Sequence, residues 1–328
     1  MAAEALKVEW RAIGESVRGA SHVRAKLPNQ DAIAWWPESG VGLPVVLAIS
    51  DGHGSAKCIV SDVGAHLAVN TALAVMQQFF AGHRGSANLS AIKRTAEERL
   101  PQEIVRRWID AVKEHHEHSP LPADRLDLLE KKEGMVARQE IQNNPVLAYG
   151  ATIVVVLVTE GFILFMQDGD GDILTVSNTG EVTRPLATDE RLFANETTSL
   201  CAPSAWRDFR VRFQALTGPG PALILLSTDG YANSFRNENG FLQVGSDILE
   251  MLRTEGLEKV NNSLKTWLAE ASQIGSGDDI TLGIISRTDV FNMAKGQIAQ
   301  AAGELAQEPR SGCSDFLAKH QQNSKSPD

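Results

Sequence analysis

Short apolar runs separated by glycine, proline and polar residues occur along most of the chain. Runs of about four to eight such residues between turn signals are typical of buried strands. Breaks such as Pro28-Asn29 and Glu160-Gly161 mark where one strand ends and another begins. The strands predicted in this way are 8–13, 32–36, 45–50, 149–159, 162–166, 173–176, 182–184, 209–213, 223–228 and 280–286.

Between these runs, apolar residues recur at intervals of three and four, as they do on one face of a helix. Ile59, Val63 and Leu67 begin such a pattern, which predicts a helix from about residue 55 to Gly82. Further helices are predicted over 89–116 and between 244 and 272, with a charged, weakly helical insert over 123–143. Strands and helices come in groups rather than in regular βαβ alternation. This order predicts an α+β fold, a central β-sandwich of two mostly antiparallel sheets flanked by helices.

The number of domains follows from the acidic strand ends. The chain has 328 residues, and this length alone would allow two domains. Acidic residues at strand ends extend from Asp31 to Asp279, however, and would have to meet at one site. We therefore expect one domain over residues 1–288. Residues 289–328 are rich in Ala, Gln, Gly and Ser, which predicts a largely disordered tail.

Composition and charge limit the class of partner. A chain that is 43% hydrophobic and 22% charged can bury a sizeable core. Its net charge of −10 argues against nucleic acid or an anionic membrane as a standing partner. Cys58, Cys201 and Cys313 lie far apart in the sequence, which indicates reduced thiols. Since no signal core or membrane-spanning run is found either, we expect a soluble, cytoplasmic protein.

Three of the apolar runs end on acidic residues beside glycine, and a fourth acidic pair precedes the last strand. These segments are Asp51-Gly52-His53-Gly54, Asp168-Gly169-Asp170-Gly171-Asp172, Asp229-Gly230 and Asp278-Asp279. Several carboxylates collected at one rim of a sheet repel each other, so a cation is needed among them. Oxygen ligands without a His/Cys cluster favour Mg²⁺ or Mn²⁺ over zinc or copper. The pattern therefore predicts a metal-dependent enzyme.

Other metal and nucleophile motifs are incomplete. The repeat at Asp168, Asp170 and Asp172 is like the opening of a calcium loop, but Ile173 stands where glycine is required. The histidines near residue 116 do not complete a His-Glu-x-x-His motif, and a solvated helix end is favoured for them. No Gly-x-Ser-x-Gly elbow or phosphate-binding P-loop occurs. Serine hydrolases and nucleotide-driven enzymes are therefore not supported.

Six short motifs occur in an order that is similar to that of a known family. They are Asn29-Gln30-Asp31, Asp51-Gly52-His53-Gly54, Tyr149-Gly150-Ala151-Thr152, Gly169-Asp170, Ser227-Thr228-Asp229-Gly230 and Asp278-Asp279-Ile280-Thr281. Each alone is weak, since an Asp-Gly pair after a strand is a common turn. Together they resemble the metal-dependent serine/threonine protein phosphatases of type 2C, the PPM family. The resemblance covers about residues 10–287.

The resemblance implies a two-metal hydrolase built on a β-sandwich with helices on both outer faces. Asp51 would bridge the two metals and the Gly52 carbonyl would bind one of them. Asp229 and Asp278 would hold the other metal, and Asp31 would orient water at the site. Asp170 would serve a third, looser metal together with Asp229. Two Mg²⁺ or Mn²⁺ ions, or three, are therefore the implied cofactors.

The resemblance also implies roles in acid catalysis and phosphate binding. His53 would protonate the departing serine or threonine oxygen. The family's phosphate-holding arginine lies about five residues before the position of Asp31, where this chain has Lys26, with Arg24 two residues earlier. Because a planar guanidinium binds phosphate in a bidentate manner, we expect Arg24 to be the main phosphate ligand and Lys26 the second.

The chain departs from the family pattern at further positions near these motifs, and one of them is Gly171-Asp172, where the family often has Ser-Arg. Gln30 stands where the family usually has an acid, which would weaken water-mediated support of one metal. Asp279 stands where asparagine is frequent, and we expect it to buttress Asp278.

These observations predict a Mg²⁺/Mn²⁺-dependent phosphatase that acts on phosphoserine and phosphothreonine in proteins and counteracts a Ser/Thr kinase. Two alternatives stay open. One is a non-catalytic phospho-binding or scaffold module on the same fold, although such a module does not need Asp51, Asp229 and Asp278 together. The other is a phosphatase for small phosphoesters, because the segments that would shape a substrate groove, 119–145 and 195–208, have no readable motif.

Overall fold

The computed structural model describes residues 9–187 and 197–291. Of the expected tail, 289–328, only the first three residues belong to this part, and Val290 among them is buried. Ten strands form in the order β1 (Trp10–Val17), β2 (Ala32–Trp36), β3 (Val45–Ser50), β4 (Ile153–Val158), β5 (Phe162–Asp168), β6 (Asp172–Val176), β7 (Val182–Thr183), β8 (Arg210–Ala215), β9 (Leu223–Ser227) and β10 (Ile280–Arg287).

The strands form two five-stranded sheets. The first sheet has the order β1-β10-β9-β6-β7, and the second has the order β2-β3-β4-β5-β8. Neighbouring strands are antiparallel in every pair of the described residues. The predicted α+β sandwich of antiparallel sheets is confirmed.

The two sheets pack face to face through their inner side chains. Leu47 and Ile49 of β3, Phe165 of β5 and Ile285 of β10 belong to this fully buried layer. Gly283 of β10 allows a close approach, because a Cβ atom there would lie 2.6 Å from Leu47 Cδ2. Since β3, β4, β5 and β9 are buried on both faces, their sequences are nearly continuous apolar runs rather than alternating ones.

Helices cover the outer face of each sheet. Helices α2 (Ser61–His83) and α3 (Leu89–His118) pack on the second sheet. Helices α4 (Ala123–Glu133) and α5 (Met135–Asn143) form the predicted charged insert. Helices α2 and α3 are in close contact with each other, because Trp108 Nε1 of α3 donates a hydrogen bond to the Gly64 carbonyl of α2 at 3.0 Å.

The first sheet carries the other pair of long helices, α7 (Glu238–Thr254) and α8 (Leu257–Ile274). Helices therefore lie on both outer faces, as expected. Two short helices, α1 (Ala20–Ala25) and α6 (Asp229–Ala232), are not predicted by sequence periodicity, because they are too short to show it. In the part of the chain that the structure describes, no helix combines the length and apolar character needed to cross a bilayer.

The strand register brings the acidic segments to one end of the sandwich. In the second sheet Ala32 pairs with Ser50, so Asp31 and Asp51 extend from neighbouring strand ends. In the first sheet Leu282 pairs with Ser227, so the segment that begins with Thr228 adjoins the start of β10. Both pairs of ends lie on the same side of the sandwich, where hydrogen bonds join them.

Candidate functional site

Asp31 connects the two sheets at the acidic end of the sandwich. Its side chain is 2% exposed, and Oδ2 accepts hydrogen bonds from Thr228 Oγ1 at 2.8 Å and Thr281 Oγ1 at 2.7 Å. The second oxygen, Oδ1, is buried and has no hydrogen-bond partner among the described residues. Burial raises the pKa of Asp31, and the two hydroxyls oppose this by stabilising the carboxylate.

Asp51 and Asp229 lie close enough to Asp31 and to each other for their charges to interact. Burial raises the pKa of Asp51, and the nearby charges of Asp31 and Asp229 raise it further. Burial also raises the pKa of Asp229, and the charges of Asp170 and Asp278 raise it further. Because these pKa values are raised by burial and by neighbouring acids, a bound cation would stabilise the ionised carboxylates.

Asp229 is held at the start of α6. Its Oδ2 accepts a hydrogen bond from Asn233 Nδ2 at 3.0 Å, and its Oδ1 is buried without a partner in the described part of the chain. Asp170 lies in the turn between β5 and β6, close enough that its charge raises the pKa values of both Asp51 and Asp229. Asp31, Asp51, Asp170 and Asp229 are therefore brought together.

The Asp51-Gly52 turn is fixed by backbone hydrogen bonds. The Asp51 N–H donates to Thr152 Oγ1 at 3.0 Å, and the Asp51 carbonyl accepts from the Thr152 N–H at 2.8 Å. The Gly52 N–H donates to the Gln30 carbonyl at 3.1 Å. A Cβ atom on Gly52 would lie 2.6 Å from the Ser61 carbonyl oxygen, so only glycine fits. The sequence motif ending in Thr152 thus has a structural role that its residues alone do not reveal.

His53 follows on the same turn and is held close to the acidic residues. Its backbone N–H donates to the Gly150 carbonyl at 3.0 Å. Burial lowers the pKa of the imidazole, and the charge of Asp170 opposes that shift. A Cβ atom on Gly150 would lie 2.9 Å from His53 Cδ2 and 2.8 Å from Cys58 Sγ, so the ring occupies a tight space. Cys58 and Cys201 are free thiols, as expected, and Cys313 lies outside the described residues.

Asp278 lies at the open edge of this cluster. Its side chain is 50% exposed, and its charge contributes to the raised pKa of Asp229. Its Oδ1 accepts a hydrogen bond from the Asp279 N–H at 2.8 Å. This position is consistent with a ligand that faces solvent and the other acids at once.

Asp279 supports Asp278 through its backbone N–H, whereas its side chain has other partners. The Asp279 carboxylate, which is 3% exposed, accepts hydrogen bonds from the Gly19 N–H and the Gln30 N–H, both at 2.6 Å. His22 Nδ1 lies 2.8 Å from the same carboxylate. Its side chain therefore binds the N-terminal segment rather than its neighbour. Sequence reasoning missed His22, because no local motif connects residue 22 with residue 279.

Of the two proposed phosphate ligands, Arg24 lies on α1 and Lys26 directly follows that helix. Arg24 and Lys26 are both exposed, and Lys26 ends the helix in a left-handed conformation with φ of 58°. Within residues 9–187 and 197–291, neither side chain makes a hydrogen bond or ion pair to the acidic cluster. Their phosphate-binding role stays a prediction.

The acidic cluster is suited to hard cations. Its donors are oxygens, several are buried with raised pKa values, and Oδ1 of both Asp31 and Asp229 lacks a partner in the described chain. In the same part of the chain, no three Asp, Glu, His or Cys side chains converge closely enough to bind one ion directly. Mg²⁺ commonly binds through one or two carboxylates and keeps several waters. The residues therefore fit ions that are partly hydrated, and not an all-protein cage.

The sandwich is similar to solved bacterial phosphatases. The catalytic domain of the serine/threonine protein phosphatase PstP, in complex with two manganese ions, matches 86% of this chain and 99% of its own at 17% identity and a TM-score of 0.50. PstP from Mycobacterium tuberculosis matches at 16% identity, 85% and 98% coverage and a TM-score of 0.50. Stp1 from Staphylococcus aureus matches at 14% identity, 84% and 94% coverage and a TM-score of 0.51. At these identities the likeness shows the fold.

The family is shown by sequence. The profile of the family described as Protein phosphatase 2C matches residues 18–269, which is most of the chain. No curated protein sequence matches the chain. The match includes Asp31, Asp51 and Asp229 and ends before Asp278, which the β9–β10 pairing brings to the same site. The chain is therefore an enzyme of the protein phosphatase 2C family.

Proposed function

We propose that the enzyme is a Mg²⁺- or Mn²⁺-dependent phosphatase that hydrolyses phosphoserine and phosphothreonine in proteins. The observation that carries this proposal is the pair of partly buried carboxylates Asp51 and Asp229, whose pKa values are raised by burial and by neighbouring acids. Among the described residues, no Lys or Arg is a cause of their pKa shifts, and carboxylates without such a partner are suited to divalent cations. The two manganese ions in the structure of PstP support the same assignment.

Each acid of the cluster has a proposed place. Asp51 would hold both ions, the Gly52 carbonyl one of them, and Asp229 and Asp278 the other, with Asp170 available to a third. Bound cations would neutralise the phosphate and lower the pKa of water, so that hydroxide is available near neutral pH.

Asp31 is suited to orient the attacking water. The hydroxyls of Thr228 and Thr281 hold Oδ2, so the carboxylate cannot rotate freely. Oδ1 is then left as an acceptor in a fixed direction. An acceptor of this kind aligns the hydrogen of a nearby water without itself taking part in bond formation.

His53 is the proposed general acid. It lies two residues after Asp51, and its backbone N–H is held by the Gly150 carbonyl. Protonation of the leaving oxygen matters because a serine or threonine alkoxide is a poor leaving group. Asp170 favours the protonated imidazole, and burial makes that imidazolium a stronger acid. Arg24, with Lys26 second, is the proposed phosphate ligand, since a guanidinium fork matches two phosphate oxygens.

A phosphorylated protein substrate is proposed, with a Ser/Thr kinase as the opposing enzyme. Phosphoserine and phosphothreonine peptides, p-nitrophenyl phosphate and small sugar phosphates would be offered to the full chain with EDTA, Mg²⁺, Mn²⁺ or Zn²⁺. Turnover of the phosphopeptides with Mg²⁺ or Mn²⁺, little turnover with Zn²⁺ and none in EDTA is the expected result.

Asp51→Asn tests the metal site in the same assay, because it removes one proposed metal ligand and keeps the side-chain volume. It should lower turnover more than about a hundredfold while the protein stays folded. Full activity in EDTA would overturn metal dependence. Binding of phosphopeptides without turnover would identify a phospho-binding module, and turnover of the small esters alone would identify a different substrate class.

A further inference from the structure

Asp279 is a buried carboxylate whose hydrogen bonds all reach the segment between β1 and β2. Oδ1 accepts from the Gly19 N–H at 2.6 Å, and Oδ2 accepts from the Gln30 N–H at 2.6 Å and faces His22 Nδ1 at 2.8 Å. Charge-assisted hydrogen bonds are about twice as strong as neutral ones. One carboxylate therefore holds both ends of the segment that carries α1.

His22 occupies a defined place between two acids. Its side chain is 14% exposed, and Nε2 lies 3.7 Å from Asp278 Oδ1 while Nδ1 is bound to Asp279. Because a carboxylate only accepts, Nδ1 carries the hydrogen in that contact. The imidazole thus fills the space between α1 and the proposed metal ligand Asp278.

Further contacts dock the start of α1 on the end of α8 and on the turn before β10. The Ser21 N–H donates to the Gly277 carbonyl at 2.8 Å, and the Ala20 N–H donates to Ser272 Oγ at 3.0 Å. A Cβ atom on Gly19 would lie 2.6 Å from the Asp279 backbone nitrogen, so the two segments are in direct contact. The helix that carries Arg24 is therefore attached to the segment that carries Asp278.

The backbone of Gln30 extends this connection to the Asp51-Gly52 turn. Its N–H donates to Asp279, and its carbonyl accepts a hydrogen bond from the Gly52 N–H at 3.1 Å. The residue after Gln30 is Asp31. The backbone of a single residue thus lies between the Asp279 carboxylate and the turn that carries the proposed bridging ligand.

We propose that His22 and Asp279 are a positioning pair that sets α1, and with it Arg24, relative to Asp278 and Asp31. The proposal rests on the proposed function, because it concerns how substrate phosphate is aligned with that metal site. Neither residue touches the phosphate. Loss of the pair leaves the acids in place and loosens the helix, so substrate binding suffers more than the chemical step.

Four variants separate the contacts. His22→Ala removes both contacts, whereas His22→Asn places an amide donor close to the position of Nδ1 and keeps the hydrogen bond to Asp279. Asp279→Asn retains one acceptor oxygen, so either the Gly19 or the Gln30 N–H loses its partner. Val23→Ala is the matched control, because Val23 lies on the same helix and is 53% exposed.

Two measurements are made on the full chain. In metal-free protein, hydrogen–deuterium exchange of residues 19–31 should become at least about fivefold faster in His22→Ala and Asp279→Asn, and stay near wild type in His22→Asn and Val23→Ala. With Mn²⁺ and a phosphoserine peptide, KM should rise about tenfold in His22→Ala, with kcat within about twofold, as expected for loss of one charge-assisted hydrogen bond.

Equal exchange in His22→Ala and Val23→Ala would overturn the proposal, and so would faster exchange with unchanged KM. Failure of His22→Asn to restore KM would also overturn it, since the hydrogen bond to Asp279 would not be the cause. Should the wild-type enzyme hydrolyse no phosphopeptide, the proposed function fails. The exchange measurement would still show whether the pair holds α1, because it needs neither metal nor substrate.

Discussion

The hydroxyl of Thr281, in the last strand, lies 2.7 Å from Oδ2 of Asp31, which precedes the second strand. This hydrogen bond joins residues 250 positions apart and stabilises the ionised form of a buried acid, whose pKa is raised by burial.

Thr281→Val should therefore raise the pKa of Asp31 further, because the variant keeps the burial and loses a donor to the carboxylate. If Asp31 must be ionised to orient water, the acidic limb of the kcat/KM profile should move to higher pH, with the greatest loss of activity on that limb. Thr281→Ser keeps the hydroxyl and should behave as wild type. Identical profiles for the Val and Ser variants would contradict this role of the hydroxyl.

The metal-free enzyme should become less stable as pH rises. Burial raises the pKa of Asp31, Asp51 and Asp229 above the usual value of 3.8, so the folded chain keeps protons that the unfolded chain has released. Stability from this source is complete below that value and is lost as pH rises through the folded-state pKa values. In EDTA, the melting temperature should be lower at pH 8 than at pH 5.

Asp229→Asn should reduce this pH dependence, because it removes one of the acids whose pKa is raised by burial. Asp278→Asn is the control, since that side chain is half exposed and should change the dependence little. Thermal denaturation of the three proteins in EDTA measures the effect. The same pH dependence of the melting temperature in wild type and both variants would show that Asp229 is not its source.

Arg24→Ala should raise KM for phosphopeptides more than Lys26→Ala does. Both residues are exposed on α1 or at its end, so neither change should disturb the fold. Only the guanidinium can bind two phosphate oxygens in one plane. Arg24→Lys, which keeps the charge and loses the fork, should give an intermediate KM. Small and equal effects at both positions would mean that the metal site alone holds phosphate.

His53→Ala should slow hydrolysis of phosphoserine peptides by about 10²–10⁴-fold, the usual contribution of a positioned acid. The effect on p-nitrophenyl phosphate should be far smaller, because p-nitrophenolate leaves readily without a proton. Mn²⁺ affinity, measured by calorimetry, should change little, since the imidazole is not a proposed ligand. A loss of the same size with both substrates would show that His53 positions water or metal and does not protonate the leaving group.

Gly150→Ala should reduce activity with phosphoserine peptides and lower stability. The added Cβ atom would lie 2.8 Å from Cys58 Sγ and 2.9 Å from His53 Cδ2, so the imidazole must move. Overpacking of this kind usually costs about 1–3 kcal/mol of folding free energy. Gly218→Ala is a useful control, because a Cβ atom there would meet nothing within 4 Å. Equal kcat for the two variants would show that the position of His53 is not critical.

The sequence alone predicted the strands of the sandwich and the acids at their ends. This was possible because buried strands and long amphipathic helices leave local patterns of apolar residues. Runs such as 45–50 and 162–166 appear in the structure as β3 and β5 with little change. The short helices α1 and α6 were missed, since helices of six and four residues are set by their tertiary contacts rather than by periodicity.

The sequence also predicted which acidic residues belong to the site, but it did not predict their hydrogen-bond partners. His22 and Asp279 are separated by 257 positions, and Thr281 and Asp31 by 250. A hydrogen bond over such a distance exists only once strand register and sheet packing have placed both groups at the same end of the sandwich. The sequence by itself therefore determined which chemical groups the site contains, whereas the tertiary structure decided which of them touch, because burial and hydrogen bonding depend on neighbours that the chain order does not specify.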